Sequence, residues 1–452
     1  MMSERIVILG AGESGTGAAL LAKAKGYDVF VSEKGAIQAK YSKQLKESGI
    51  DFEQGMHSEE KILEATTIIK SPGIPGSIAL LQKAIKRGIN IIDEIEFASR
   101  NTDAKIIAIT GTNGKTTTTL LTYHLLKQAS YNVGLAGNVG KSFAKQVIDD
   151  DKDFYVIEMS SFQIDGIDKF SPEVAVILNI TPDHMDRYEY SFQKYIDAKF
   201  RLIDNLKPEA SFIYLTDDEN IKNKLDSKNY NGIKLPISIS ANPSHVARVI
   251  GENMIFSLNE EVFQIPQSET TLKGKHNLIN TMAAVLSALK VGVSEKQIKE
   301  GLKTFENAPH RLEYVATINE VDFYNDSKAT NVEATKYALE SFSNKLVWIA
   351  GGVDKGNDYS QIMQLVNEKV KTLVCLGKDN EKLREVFHDH IVNILETDSM
   401  RQAIGSALKY AEDNDVVLLS PACSSFDLFN NYEDRGDQFK EVVLSYKNNY
   451  SN

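Results

Sequence analysis

The sequence predicts an α/β chain of three domains. Its 452 residues allow roughly three domains at about 150 residues each. Short apolar runs alternate with helical stretches along the whole chain, the order a parallel sheet requires. Two glycine turns, beginning at Gly10 and Gly111, each leave a strand and open a helix.

The first domain is expected over residues 1–101. Ile6–Leu9, Val29–Val31 and Thr67–Ile69 read as strands, and Ala18–Lys25 and Ile78–Arg87 as helices. Gly10-Ala-Gly12-Glu-Ser-Gly15 follows the first strand, and Glu33 ends the second, 23 positions after Gly10. That is the spacing of a Rossmann-like nucleotide turn. Its glycines let backbone N–H groups approach a phosphate, and the helix N-terminus adds favourable partial charge. Such a turn suits a diphosphate, or is structural alone; a nicotinamide cofactor does not follow from it.

The second domain is expected over residues 102–308, after the polar stretch Asn101-Thr102-Asp103. Lys105–Ile109 runs into Thr110-Gly111-Thr112-Asn113-Gly114-Lys115-Thr116 and then into a helix marked by Leu121, Leu125 and Ala129. Backbone amides, one ammonium and one hydroxyl can there hold a triphosphate and its Mg²⁺, which makes this a P-loop-type unit. The loop departs from G-x-x-x-x-G-K-T, because Ile109 stands where the first glycine would be. Strands follow at Tyr155–Ile157 and Val174–Leu178. Glu158 ends the first of them between apolar runs, where an unpaired carboxylate is costly, so it is a candidate metal ligand. His184 and Lys199 follow. Val246–Ile250, Met254–Phe256 and Val262–Ile265, separated by Gly251-Glu252-Asn253 and Asn259-Glu260-Glu261 turns, read as a small antiparallel sheet, and a helix from His276 to about Lys290 closes the domain.

The third domain, residues 309–452, starts near Ala308-Pro309. Asp322–Tyr324, Leu346–Ile349, Thr372–Leu376 and Val416–Leu419 alternate with helical segments, a second Rossmann-like pattern. No short repeat or low-complexity tract interrupts the chain.

Composition narrows the function. The formal net charge of −11 gives no global basic field to gather nucleic acid or anionic membrane, so an anionic ligand needs a local site. Two cysteines, Cys375 and Cys423, make neither a disulfide framework nor a zinc or redox pair, which suits a reducing cytoplasm. The apolar run Ile6–Leu9 is too short for a signal core or a membrane span.

Taken in order, Gly111-Thr-Asn-Gly-Lys-Thr116, Glu158-Met-Ser-Ser-Phe-Gln163, Asn179-Ile-Thr-Pro-Asp-His-Met-Asp186, Ala198-Lys-Phe-Arg201, Gly274-Lys-His-Asn277 with Asn280, and His310-Arg311 resemble the Mur ligases of peptidoglycan synthesis. Asn325-Asp-Ser-Lys-Ala-Thr-Asn331, Gly351-Gly-Val-Asp-Lys355 and Ser420-Pro-Ala-Cys-Ser-Ser-Phe-Asp427 continue the match over nearly the whole chain. Glu-x-Ser-Ser-Phe-Gln and Ser-Pro-Ala-x-x-Ser-Phe-Asp look like the D-glutamate-adding branch; the L-alanine-adding branch typically has His where Asn113 stands. Thr117 replaces a common serine conservatively.

The resemblance implies an ATP-dependent amide ligase that joins D-glutamate to UDP-N-acetylmuramoyl-L-alanine through an acyl phosphate. It implies that Lys115, His184 and Lys199 are catalytic. Gly111, Thr112, Asn113, Gly114, Lys115, Thr116 and Thr117 would hold ATP together with Asn277, Arg311, Asp326 and Lys328. Ser14, Gly15, Glu33, Ser71, Gly73, Asn138 and His184 would bind the UDP substrate; Thr330, Lys355, Ser424 and Phe429 would bind D-glutamate. Two Mg²⁺ ions are implied, one on Thr116 and Glu158, the other on His184 and a carbamylated Lys199, because an ammonium cannot ligate this hard cation and a carbamate can. A monomer is expected, with the third domain closing on the second.

Three rival readings are weaker. A nicotinamide oxidoreductase explains Gly10–Gly15 and Glu33 but leaves the Gly-Lys-Thr loop without a task. A non-catalytic nucleotide-binding regulator has no use for Glu158, His184 and Lys199 together. A folyl-polyglutamate synthetase would lack the N-terminal domain.

Overall fold

A computed structural model describes residues 4–149, 151–258, 261–272 and 274–450. The chain divides into two compact units, Met1–Thr271 with Leu278–Phe305, and Leu272–Asn277 with Glu306–Asn452. The first carries two sheets and the second carries one.

The first sheet is parallel. Its strands are β1 (Arg5–Leu9), β2 (Asp28–Glu33), β3 (Asp51–Gln54), β4 (Thr67–Lys70) and β5 (Asn90–Ile92), in the order β3-β2-β1-β4-β5. β1 is apolar on both faces, as a central parallel strand covered by helices must be. The helix after it spans Glu13–Ala24 and starts directly at the glycine turn, earlier than the expected Ala18. Chain order reverses between β1 and β4, so a crevice opens at their carboxyl ends.

The second sheet holds β6 (Lys105–Thr110), β7 (Val133–Gly137), β8 (Phe154–Glu158), β9 (Val174–Ile177), β10 (Ser211–Leu215), β11 (Ile233–Ile237), β12 (Ala247–Ile250), β13 (Asn253–Leu258) and β14 (Glu261–Pro266). Their order is β14-β13-β12-β11-β10-β9-β6-β8-β7. The antiparallel strands β12–β14 do not form a separate sheet. The pairing of Ile237 with Ala247 extends the parallel sheet into them, because β11 offers an open edge. Asn259 and Glu260 of the expected turn lie outside the described residues. β6 lies between β8 and β9, so the loop at its end is flanked by the ends of those strands.

Two buried glutamates explain why these sheets share one compact unit. They lie on the helix Glu94–Ser99, which leads to β6 through Asn101-Thr102-Asp103. Glu94 Oε1 accepts from Ser142 Oγ and Ala144 N, both at 2.7 Å, at the start of the helix Phe143–Val147. Glu96 Oε2 accepts from the amides of Asp168 and Phe170 at 2.9 Å and of Lys169 at 3.1 Å. Carboxylates that accept several amides tolerate burial that unpaired ones do not.

The third sheet comprises β15 (Glu313–Ile318), β16 (Val321–Asn325), β17 (Leu346–Ala350), β18 (Val370–Leu376), β19 (Asn393–Thr397) and β20 (Val416–Leu419), in the order β15-β16-β20-β17-β18-β19. β15 and β16 form an antiparallel hairpin at one edge; the other pairings are parallel. Helices cover both faces, with Trp348 and Phe387 packed edge to face on one side and Phe323 and Phe439 in contact on the other. Among the described residues, no helix is long and apolar enough to cross a membrane.

Candidate functional site

The loop after β6 is held in place from β9. Asn179 Oδ1 accepts from Asn113 N at 2.8 Å, its Nδ2 donates to Asn113 O at 3.0 Å, and its own carbonyl accepts from Thr112 N at 2.9 Å. Thr112 Oγ1 donates to Thr181 O at 3.0 Å. Gly114 precedes the helix Lys115–Gln128 with φ +83°, and a Cβ there would lie 2.2 Å from Asn280 Oδ1. Only glycine fits both the backbone and the space. Lys115 Nζ turns back into its own loop and donates to Gly111 O at 2.8 Å and Thr112 O at 2.7 Å.

Lys199 approaches the same loop from the helix Phe192–Phe200. It is 1% exposed, and its Nζ donates to Gly111 O at 2.8 Å above the Tyr195 ring, 4.7 Å from the ring centre. Burial, reinforced by the neighbouring Lys115 charge, holds its amine well below the usual lysine range.

Glu158 ends β8 and is 1% exposed. Its Oε1 accepts from Asn138 Nδ2 at 2.8 Å, and its carbonyl from Asn138 N at 2.9 Å. Its Oε2 is buried with no hydrogen-bond partner. A buried carboxylate oxygen without a donor costs free energy, so this atom fits a cation beside the glycine loop. His184 follows β9 in a left-handed conformation, φ 54°, with its imidazole 5.0 Å from the Phe162 ring and 3.6 Å from Asp183. Among the described residues, no three His, Cys, Asp or Glu side chains converge as a ready metal cage. The expected set draws only Glu158 and His184 from those types and completes itself with Thr116 and Lys199.

At the first glycine turn, Gly10 has φ +95°, and a Cβ there would meet Ser71 Oγ at 2.3 Å. One at Gly15 would meet the Gly10 carbonyl at 2.0 Å. Both glycines are needed to bring the turn, the helix carrying Ser14, and the Ser71–Gly73 loop together. Glu33 Oε2 accepts from Ala11 N and its Oε1 from Gly35 N, each at 2.8 Å. Glu33 thus ties the first glycine turn to the end of β2. The carbonyls of Pro72 and Gly73 accept from Arg187, which sequence reasoning did not single out.

In the second unit, the adjacent strands β16, β20 and β17 end in the segments that carry Asp326 to Thr330, Ser420 to Ser424, and Gly351 to Lys355. Asp326 is buried; its Oδ1 accepts from Leu312 N at 3.2 Å and its Oδ2 from Ser420 Oγ at 3.0 Å. Burial pushes its carboxyl up to about 7, against these donors and the charges of Arg311 and Arg435. Lys328 Nζ lies 3.7 Å over the Tyr432 ring, and its carbonyl accepts from Thr330 N at 2.9 Å. Asn277 is buried at the start of the helix Lys275–Lys290. Lys355 is exposed, whereas Ser424 is buried and donates from Oγ to Val353 O at 3.3 Å. Phe429 N donates to Ser425 O at 3.0 Å.

Arg435 ties these segments and was also missed. Its guanidinium, 1% exposed, donates to Ser327 O and Oγ at 2.8 and 3.0 Å, Gly351 O at 3.3 Å and Cys423 O at 3.2 Å. The available signal was its place four residues before Phe439 and eight before Val443, on the inward stripe of the helix Tyr432–Tyr450.

Comparison with known proteins covers nearly the whole chain. Residues 4–93 match the Mur ligase MurD-like N-terminal domain, 109–288 the Mur ligase middle domain, and 310–423 the Mur ligase glutamate ligase domain. The UDP-N-acetylmuramoylalanine–D-glutamate ligase of Christiangramia forsetii is 49% identical over 98% of this chain and 99% of its own. The enzyme of that name from Cytophaga hutchinsonii is 51% identical over 98% and 99%. A pseudomurein peptide ligase type C from Methanothermus fervidus shares the fold, with TM-score 0.64 and 19% identity over 98% of this chain and 100% of that one. UDP-N-acetylmuramate-alanine ligase from Thermotoga maritima does so at TM-score 0.61 and 16% identity, over 98% and 100%.

Proposed function

The chain belongs to the Mur ligase family, and we propose that it joins D-glutamate to UDP-N-acetylmuramoyl-L-alanine at the expense of ATP, in the synthesis of the peptidoglycan precursor. The observation that carries this reading is near-full-length identity of about half to ligases of that name. The reaction uses ATP and a nucleotide-linked precursor, which supports a cytoplasmic setting, and the chain carries each expected group itself, which suits a monomer.

A carboxylate is a poor electrophile. Its oxygen first attacks the γ-phosphorus of ATP, the bond to the β-phosphate oxygen breaks, and ADP leaves behind an acyl phosphate. The D-glutamate nitrogen then attacks the acyl carbon, the carbon–oxygen bond to phosphate breaks, and the nitrogen loses a proton. The first step brings two anions together, so the site must supply positive charge at fixed positions. Lys115, already inside the Gly111–Thr116 loop, would turn to the phosphates, with the loop amides beside it. Asn277, Arg311, Asp326 and Lys328 would complete the ATP contacts.

Mg²⁺ would be held by Thr116 and by Glu158, whose buried Oε2 has no protein donor, and would neutralise the phosphate charge. A second ion would take His184 and carbamylated Lys199. The depressed basicity of Lys199 supports this modification, because a neutral amine can attack CO₂, form the nitrogen–carbon bond and release a proton. The product keeps one N–H, enough to preserve the bond to Gly111 O. Ser14, Gly15, Glu33, Ser71 and Gly73 would line the UDP crevice, with Asn138 and His184 toward the acyl end. Thr330, Lys355, Ser424 and Phe429 would receive D-glutamate.

The test is phosphate release from ATP with UDP-N-acetylmuramoyl-L-alanine while single amino acids are added in turn. D-Glutamate alone should support turnover; preference for another amino acid, or none, would refute the reading.

A further inference from the structure

Arg187 bridges two loops to which the ligase reading gives different tasks. It sits in the 3-10 turn Met185–Tyr188, next to His184. Nη1 donates to the Gly73 carbonyl at 3.2 Å and Nη2 to the Pro72 carbonyl at 3.3 Å. The same guanidinium lies over the Phe162 ring, 4.4 Å from its centre. That ring meets the His184 imidazole edge to face, with centroids 5.0 Å apart. Tyr188 stacks on Phe162 at 6.1 Å, and its hydroxyl donates to Asp165 Oδ2 at 3.1 Å, which fixes the turn from the other side.

We infer that Arg187 is a positioning residue that couples occupancy of the nucleotide crevice, at Ser71–Gly73, to the placement of His184. The inference rests on the ligase reading of those two loops. Arginine suits the task for a geometric reason. Its planar fork donates to two consecutive carbonyls while its face stays on an aromatic ring; a lysine ammonium can meet a carbonyl but cannot do both. The Ser71–Gly73 turn is stiff, with Pro72 at its centre and Ile74 N donating to Ser71 O at 3.0 Å. A bound nucleotide that settles this turn therefore settles the guanidinium, and with it Phe162 and His184. Displacement of a reacting group by about 1 Å is enough to cost on the order of 100-fold in rate.

The experiment compares the full-length wild type with Arg187→Lys, Arg187→Ala, Phe162→Leu and the Arg187→Lys/Phe162→Leu double variant. Steady-state phosphate release gives kcat and KM for UDP-N-acetylmuramoyl-L-alanine, and calorimetry gives the affinity for UDP itself. The coupling predicts UDP affinity within about threefold of wild type and a kcat lowered roughly 10- to 100-fold in both Arg187 variants, with no rescue by lysine. Phe162→Leu should show a similar loss, and the double variant no further one. A kcat within about twofold of wild type for Arg187→Lys would overturn the inference. So would UDP affinity that falls in step with kcat, or losses that multiply in the double variant. If the alanine variant fails to fold, the lysine and Phe162 variants decide. An inactive wild type would refute the ligase reading, and the coupling with it; an active wild type with unaffected variants would refute the coupling alone.

Discussion

Lys115 and Lys199 donate to one acceptor, the Gly111 carbonyl oxygen, each at 2.8 Å. Burial, reinforced by the neighbouring Lys115 charge, holds the Lys199 amine well below its ordinary range. The loop that is to receive a triphosphate therefore has one exchangeable cation, Lys115, and one lysine suited to chemical conversion.

Conversion of Lys199 to an anionic metal ligand has a direct test. Lys199→Ala should retain the fold and lose ligase activity by orders of magnitude, with partial recovery on adding small carboxylates that fill the vacated space. Removing CO₂ from the wild type should lower activity, and bicarbonate should restore it. Near-normal turnover by Lys199→Ala would dismiss the role.

The same lysine affects stability. Its folded-state pKa lies below the ordinary 10.5, so between those values the unfolded chain binds the additional proton and stability rises with pH. A Lys199→Met chain lacks this dependence. In CO₂-free buffer, the urea midpoint of the wild type should gain on that of Lys199→Met as pH is raised toward 10.5; parallel curves would contradict the depressed pKa.

Asp326 acts in the opposite sense. Its carboxyl is raised from 3.8 to about 7, so the folded chain holds a proton that the unfolded chain has lost. The associated stability is present below 3.8 and lost as pH climbs through about 7. Asp326→Asn, which keeps an acceptor for Leu312 N, should match or exceed the wild type in thermal stability above pH 7 while its KM for ATP rises. A variant less stable than wild type there would show that the carboxylate is well paired in the fold.

The placement of the Gly111–Thr116 loop and of Glu158 was legible because both are local features: a glycine turn between a strand and a helix, and a strand end between apolar runs. The parallel cores read correctly for the same reason, since β1, β6, β8 and β20 are continuous apolar runs. Arg187 and Arg435 were not legible, because all their acceptors but Cys423 lie 84 or more residues away, at Pro72 and Gly73 and at Ser327 and Gly351. The antiparallel strands read as a small sheet attached to the second domain, but the alternation of β12 to β14 says nothing about the edge they join; one pair, Ile237 with Ala247, decides it.

Gly114 carries a steric prediction. Gly114→Ala would force a side chain onto φ +83° and place its Cβ 2.2 Å from Asn280 Oδ1. The backbone cost alone is about 1–2 kcal/mol, and the contact adds to it. KM for ATP should rise and the melting temperature fall; Asn280→Ala in the same chain should recover stability in part, by removing the contact but not the backbone strain. An unchanged Gly114→Ala enzyme would mean that the loop tolerates another path.

Specificity for a dicarboxylate amino acid is the last property to be tested. A side-chain carboxylate that enters a cleft loses hydration and needs a fixed cation at short range. Lys355 is the exposed cation of the segment that leaves β17, next to the β20 segment with Ser424, which in turn neighbours the β16 segment with Thr330. The Val353–Ser424 backbone pair, with N···O distances of 2.8 and 3.3 Å, and the Arg435 bonds to Gly351 and Cys423 hold these segments at one sheet edge. An ammonium on a long stem at such an edge can fold onto an arriving carboxylate, and loss of one partner of a desolvated charge pair costs about 2–5 kcal/mol. Lys355→Ala should thus lower kcat/KM for D-glutamate by roughly 100-fold or more. KM for ATP should stay near that of the wild type, because Lys115 and Arg311 remain. Steady-state kinetics with D-glutamate and ATP each varied separate the two effects. A normal KM and kcat for D-glutamate in Lys355→Ala would remove this lysine from the amino-acid pocket, and equal losses toward both substrates would show that the substitution disturbs the fold of the edge instead of one contact.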